Sequence, residues 1–113
     1  MKDIVLIKVY GNFSPAGAAE YSGLAAIARE AVPMPLHGPV KLEKDLLSIA
    51  FEGVSFPLSA CLAWLRDNLS PKATGRLDYI DLESWRLDRY EFANGSFERR
   101  SAPLNHLLEH AGF

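Results

Sequence analysis

The stretch that decides the fold is LDYIDLESWRLDRYEFANGSFERR, residues 77–100. Apolar and polar residues alternate over 77–92, and many of the apolar ones are aromatic, which is typical of β-strands with one buried face. Residues 93–96 (ANGS) then supply the chemistry of a tight reversal. The pattern predicts a hairpin whose second strand covers residues 97–100, with a break or bulge around residues 82–84.

Two other regions predict strands. Residues 4–10 (IVLIKVY) are apolar on both faces for most of their length, as in a buried central strand. Residues 46–58 alternate on either side of Glu52-Gly53, which predicts a tight hairpin, with Pro57 at an edge or a strand end. Residues 33–43 contain three prolines and a glycine and are interpreted as the longest irregular connection.

Three helices are predicted between and after these strands. Ser14 and Pro15 supply an N-cap and a first helical position for a helix that continues to Val32. Ser59 is the predicted cap of a second helix over residues 60–69. Ser101 and Pro103 repeat the first signal before a short final helix, whose apolar residues share one side (Leu104, Leu107, Leu108, Ala111).

The predicted element order is therefore βαββαββα. It places the chain in the α+β class, as one domain over residues 1–113 with a mostly antiparallel sheet and helices packed on it. A chain of 113 residues is large enough for one core and too short for two. The first six elements resemble the split βαβ pattern of ferredoxin-like domains, a resemblance that implies a ferredoxin-like sheet.

Composition excludes several classes of partner. A formal charge of −2 and a pI near 5.9 provide no general attraction for nucleic acid or for an anionic membrane surface. The N-terminal apolar run turns polar at Lys8, too early for a signal peptide or a membrane span. The single cysteine, Cys61, lies in an apolar helical stretch and is interpreted as a packed thiol. Because one cysteine cannot form a disulfide within the chain, a reducing compartment and hence a cytoplasmic location are expected.

The C-terminal hairpin carries the leading functional hypothesis. Arginine and aromatic residues, the types enriched at protein interfaces, are concentrated in it. Residues 76–100 hold five arginines and six acidic residues, and this balance argues against a phosphate track and favours a protein partner. We therefore expect a non-enzymatic binding or interaction module that forms a homodimer, although strand aromatics also serve commonly as core residues. The predicted contact residues are Trp85, Arg86, Arg89, Tyr90, Phe97 and Arg99.

A second hypothesis places a ligand at the strand-to-helix loop from Gly11 to Gly17. Backbone N–H groups at a helix N-terminus can hold an anionic metabolite, for sensing or catalysis, and the predicted ligand-binding residues are Gly11, Asn12, Ser14 and Gly17. The loop lacks the lysine and hydroxyl of a P-loop, and Pro15 has no N–H to donate.

Catalysis has no comparable sequence support. Residues 106–110 (HLLEH) match the H-x-x-E-H string of zinc peptidases, but only three residues follow to supply a third ligand. A solvated helix face explains this pair of histidines more simply. We therefore assign no catalytic residue, no metal ligand and no cofactor.

Overall fold

The computed structural model describes residues 4–104, which form six strands and two helices. In chain order the elements are β1 (Ile7–Ser14), α1 (Ala18–Ala28), β2 (Val40–Glu43), β3 (Leu46–Gly53), α2 (Leu58–Asn68), β4 (Thr74–Asp81), β5 (Arg86–Ala93) and β6 (Ser96–Pro103).

The six strands form one sheet in the order β2-β3-β1-β4-β5-β6, and every neighbouring pair is antiparallel. β1 lies between β3 and β4, with Val9 paired to Phe51 on one side and to Tyr79 on the other. The predicted α+β class, with an antiparallel sheet and helices packed on it, is confirmed. β2 and β6 form the two edges.

Strand alternation gives the sheet two different faces. On the covered face, Val9 and Phe13 of β1 pack with Leu24 of α1 and Leu65 of α2, and all four are fully buried. On the open face, intervening residues such as Tyr10 carry polar groups away from that core. Burial on one face only is the reason why the strands alternate in sequence.

A row of aromatic rings closes the covered face near the β5–β6 turn. Phe13, Phe92 and Phe97 lie on β1, β5 and β6, with ring centroids 5.0–6.4 Å apart in edge-to-face geometry. Gly75 of β4 pairs with both Phe13 and Phe92, so the rings meet over a residue that has no side chain. This cluster joins the C-terminal hairpin to the core.

The hairpin predicted at Glu52-Gly53 is wrong. Residues 46–53 form the single strand β3, and the reversal lies earlier, at Lys44-Asp45, where β2 pairs with β3. β2 itself falls within residues 33–43, whose prolines and glycine predict an irregular connection. Gly53 supports a close approach instead of a turn, because a Cβ there would lie 2.6 Å from the Val32 carbonyl oxygen.

The C-terminal hairpin agrees better with the sequence. The expected interruption around residues 82–84 is the turn between β4 and β5. The reversal at Asn94-Gly95 is confirmed, and both residues have the positive φ (54° and 81°) that such two-residue turns require. β6 is longer than the predicted 97–100 and includes Ser101 and Pro103.

The predicted helix starts need correction as well. Ser14 is the last residue of β1, and Gly17 occupies the N-cap of α1, which ends at Ala28. Ser59 lies inside α2, whose N-cap is Pro57. The Ser101-Pro103 start of the final helix is wrong because both residues belong to β6. The remainder of that predicted helix lies outside the described residues.

Candidate interaction surface

The predicted contact residues are distributed over both faces of the C-terminal hairpin. Strand alternation directs Arg86, Tyr90, Phe97 and Arg99 to the covered side and Arg89 to the open face. Trp85 ends the turn before β5, with φ 56° and 43% of its surface exposed. The structure therefore places four of the six on one face, with Arg86 at the opposite end of the hairpin from Phe97, and it places Arg89 on the other face.

Two of the four residues on the covered side contribute mainly to packing. Phe97 lies 6.1 Å from Phe13 and 5.0 Å from Phe92, measured between ring centroids. Tyr90 also packs against the core, and burial raises the pKa of its phenol. The exposed groups on this side are arginines: Arg86 lies at the start of β5, and Arg99 Nη2 lies 3.3 Å from Asp88 Oδ1.

Arg89 forms the best-defined ion pair on the open face. Its Nε and Nη2 donate to the two carboxylate oxygens of Asp78 at 2.8 and 3.0 Å. The hydrogen bond to Asp78 raises the pKa of the guanidinium. Because the Asp78 side chain is only 16% exposed, this bidentate pair fixes β5 against β4 more firmly than an exposed pair would. Arg89 thus has a structural role whether or not it touches a partner.

β6 forms the outer edge of the hairpin. It pairs with β5 over its full eight residues, and six of those eight residues are exposed. On the open face Arg100 Nε lies 3.7 Å from Glu91 Oε1, and Arg100 Nη2 lies 3.8 Å from Glu98 Oε1. The edge therefore carries both signs of charge along an extended backbone.

The predicted ligand loop is shorter than expected. Gly11 and Asn12 lie inside β1, and only residues 15–17 connect β1 to α1. The Ala16 N–H donates to the Asp45 carbonyl oxygen at 2.8 Å, which leaves fewer free donors for an anion. A Cβ at Gly11 would lie 2.7 Å from the Arg76 carbonyl oxygen, so close strand packing accounts for this glycine. The anion site remains a prediction.

Two clefts beside residues 34–39 were not anticipated from the sequence. Each has a volume of about 490 Å³; one opens over Lys41 and Ser48, and the other lies between the loop and α1, beside Tyr21 and Arg29. At the tip of this loop Leu36 is 92% exposed. Three prolines indicated a loop here but gave no sign of concave surfaces on both sides.

Cys61 is a packed thiol, as predicted. It is fully buried in α2, and burial raises its pKa to about 12. The thiolate is the form that reacts with Ellman's reagent. At pH 8 we therefore expect the reagent to label Cys61 in the native protein only as fast as local unfolding exposes the thiol. In urea, labelling should be immediate and complete. Rapid stoichiometric labelling of the native protein would contradict this burial.

Metal and membrane features have no support within residues 4–104. That part of the chain contains no group of three His, Cys, Asp or Glu side chains placed to hold a metal ion. Within the same range, neither helix has the length and apolar character needed to cross a bilayer. His106 and His110, the pair in the zinc-peptidase string, lie outside it.

Comparison with known proteins adds no family. The chain matches no protein-family model, no curated protein and no solved structure at a significant level.

Proposed function

We propose that this protein is a non-enzymatic interaction module that self-associates as a homodimer through the β6 edge. The supporting observation is that β6 is an exposed edge strand of eight residues, attached to the core by Phe97. An exposed strand edge presents a row of unsatisfied backbone groups that another strand can pair with.

Hairpin geometry indicates which backbone groups point outward. In a two-residue hairpin the closing pair, here Ala93 and Ser96, exchanges both hydrogen bonds, and the pairs then alternate between bonded and non-bonded. The N–H and C=O groups of Phe97, Arg99 and Ser101 therefore face away from β5. They form the pairing edge for a second copy.

Charge favours one register for that pairing. When Arg99 lies opposite Arg99 of the second copy, Phe97 lies opposite Ser101 and all outward-facing groups are matched. On the open face Glu98 then lies opposite Arg100 of the second copy, twice by symmetry. The remaining contact between the two Arg99 side chains is moderated because each is already paired with Asp88. Such complementarity selects a second copy over arbitrary strands.

The decisive variant is Arg99→Pro, with Arg99→Ala as its matched control. Proline removes an outward N–H without removing a bond to β5, so the monomer keeps its ladder while the dimer loses its central pair. Both variants lose the ion pair to Asp88, but only Arg99→Pro also loses the backbone N–H donor. The measurement is native mass spectrometry and light scattering at a chain concentration of about 100 μM, which is well above a micromolar Kd. We expect dimers for the wild type and for Arg99→Ala, and monomers for Arg99→Pro.

A charge exchange tests the register. Glu98→Arg should weaken the dimer because it places two arginines opposite each other, and Glu98→Arg with Arg100→Glu should restore it. A monomeric wild-type protein at the same concentration, or a dimer that survives Arg99→Pro, would contradict the proposal.

We also propose a ferredoxin-like topology and a cytoplasmic location for this protein. We place β1–β4 with α1 and α2 in a ferredoxin-like unit, extended by the β5–β6 hairpin; the strand order β2-β3-β1-β4 and the two helices between them support this. A cytoplasmic location is consistent with the single buried thiol of Cys61.

A further inference from the structure

The cleft between α1 and the loop of residues 34–39, here called the loop cleft, has the size of a small-molecule site. Its volume is about 490 Å³. Tyr21, Ala25 and Arg29 form its helical wall, and because they are four residues apart they lie on one face of the helix, over about 12 Å of its axis. The small side chain of Ala25 leaves space between a phenol at one end and a guanidinium at the other.

The loop that forms the opposite wall is anchored at both ends. The Val32 N–H donates to the Ser55 carbonyl oxygen at 2.9 Å, just before the loop begins. At the other end the Pro39 carbonyl oxygen accepts from the Ala50 N–H of β3, also at 2.9 Å. The wall is therefore part of the fold and does not need a ligand to form it.

The tip of this loop presents apolar side chains that no other part of the described chain covers. The Gly38 N–H donates to the Pro35 carbonyl oxygen at 3.0 Å and closes a turn around Leu36. This turn and the fixed φ of the proline hold the tip away from the core. Leu36 is 92% exposed and Met34 is 42% exposed, and both line the loop cleft. A ligand with an apolar body would bury part of this surface.

The charge of the loop cleft favours an anion. Arg29, Tyr21 and His37 are its polar lining side chains, and none of the described residues that line it is acidic. Within residues 4–104 the guanidinium of Arg29 forms no ion pair. A guanidinium can bind a carboxylate through two parallel hydrogen bonds. A few polar groups in a largely apolar cleft are typical of sites that orient a small ligand.

The neighbouring β2 edge is poorly suited to a strand from a partner. β2 has only four residues, contains Lys41 and follows Pro39, and all three features protect an edge from pairing. We propose instead that the loop cleft binds a small amphipathic carboxylate, with its carboxylate on Arg29 and its apolar body between Ala25 and Leu36. β2 and β6 are opposite edges of the sheet, so this site does not depend on self-association through β6.

The test is an NMR titration of the full chain with 4-phenylbutyrate and with 4-phenylbutanamide, which has the same shape and no charge. Ligand concentrations reach about 10 mM, above the millimolar Kd expected for a ligand of this size. We expect the carboxylate to shift the backbone amides of Tyr21, Ala25 and Leu36, and to bind at least about tenfold more tightly than the amide.

Two variants separate the charge from the apolar wall. Arg29→Gln should weaken 4-phenylbutyrate at least about tenfold and leave the amide unchanged. Leu36→Ser should weaken both ligands, and its exposure makes it harmless to the fold. Arg76→Gln is the matched control, because Arg76 is an exposed arginine of the open face that also has no ion pair within residues 4–104.

Four results would overturn the proposal. They are no shift with 4-phenylbutyrate or with decanoate, equal affinity for the acid and the amide, an Arg29→Gln variant that binds like the wild type, and shifts confined to other parts of the chain. Shifts of the Tyr21 and Leu36 amides that follow protein concentration without ligand would assign the loop cleft to a second copy, and would overturn it too. None of these outcomes decides whether β6 forms a dimer.

Discussion

Replacing Phe13 by alanine is expected to lower the free energy of unfolding by about 3–5 kcal/mol, the range for deleting a buried phenylalanine ring. The side chain is fully buried on β1, and its ring lies 6.4 Å from Phe92 and 6.1 Å from Phe97. The substitution would leave a cavity between strands that cannot close without moving the sheet. Urea unfolding of the Arg99→Pro monomer measures the change without interference from dimerisation.

Loss of this ring should also loosen the C-terminal hairpin, because Phe97 is the β6 residue packed against the core. Amide exchange in β5 and β6 should therefore increase more than in β2. Tyr10→Ala is the control: it removes an aromatic ring from the same strand, but one that is 37% exposed on the open face. A loss below about 1 kcal/mol for Phe13→Ala would mean that the ring does not anchor the hairpin.

The parts of the fold that follow from the sequence are those with a local cause. Alternation over residues 77–92 and the Asn94-Gly95 reversal predicted the C-terminal hairpin, because a period of two and a positive-φ turn both leave direct marks in sequence. The apolar character of residues 4–10 predicts a central strand, and β1 does lie between two neighbours. The strand covers Ile7–Ser14 and exposes Tyr10, so the predicted bounds and the predicted burial on both faces are wrong.

The β2–β3 hairpin was missed because its turn lacks such a mark. Lys44 adopts a φ of 56°, a conformation that glycine or asparagine adopts more readily, and no sequence pattern points to a lysine there. Glu52-Gly53 in turn resembled a reversal. Gly53 is required instead by the nearby Val32 and Pro33, and a glycine needed for close approach looks the same in sequence as one needed for a turn.

The candidate surface could be predicted by composition but not by geometry. The arginine and aromatic residues of the hairpin are visible in the sequence, whereas the face that each of them occupies depends on pairing register. A shift of the pairing register by one residue would move Arg89 to the covered side and Tyr90 to the open face. The sequence also does not reveal that β6 is an exposed edge, because this depends on which strand is last in the sheet and therefore on the whole topology.

The second large effect is expected at Gly75, where alanine should destabilise the protein by about 3 kcal/mol, the upper part of the range for overpacking. A Cβ at this position of β4 would lie 2.6 Å from Phe13 Cδ1 and 2.8 Å from Phe13 Cα, and closer still to the Asn12 carbonyl oxygen. Two of these three atoms are backbone in the neighbouring strand. Relief therefore requires β1 and β4 to separate, which a change of rotamer cannot achieve.

Gly17→Ala is the matched control for the same chemical change. A Cβ there would have Glu20 Oε2 as its nearest neighbour, at 3.5 Å, and its φ of −125° suits any residue. We expect a loss of about 1 kcal/mol or less, because alanine is a poorer residue than glycine at this N-cap position. Combining Gly75→Ala with Phe13→Ala separates the two sources of strain. If the ring alone caused the clash, the double variant would lose less stability than the sum of the single ones. Because the Asn12 carbonyl remains in place, we expect the full loss at Gly75 to persist, and a recovery in the double variant would contradict the backbone explanation.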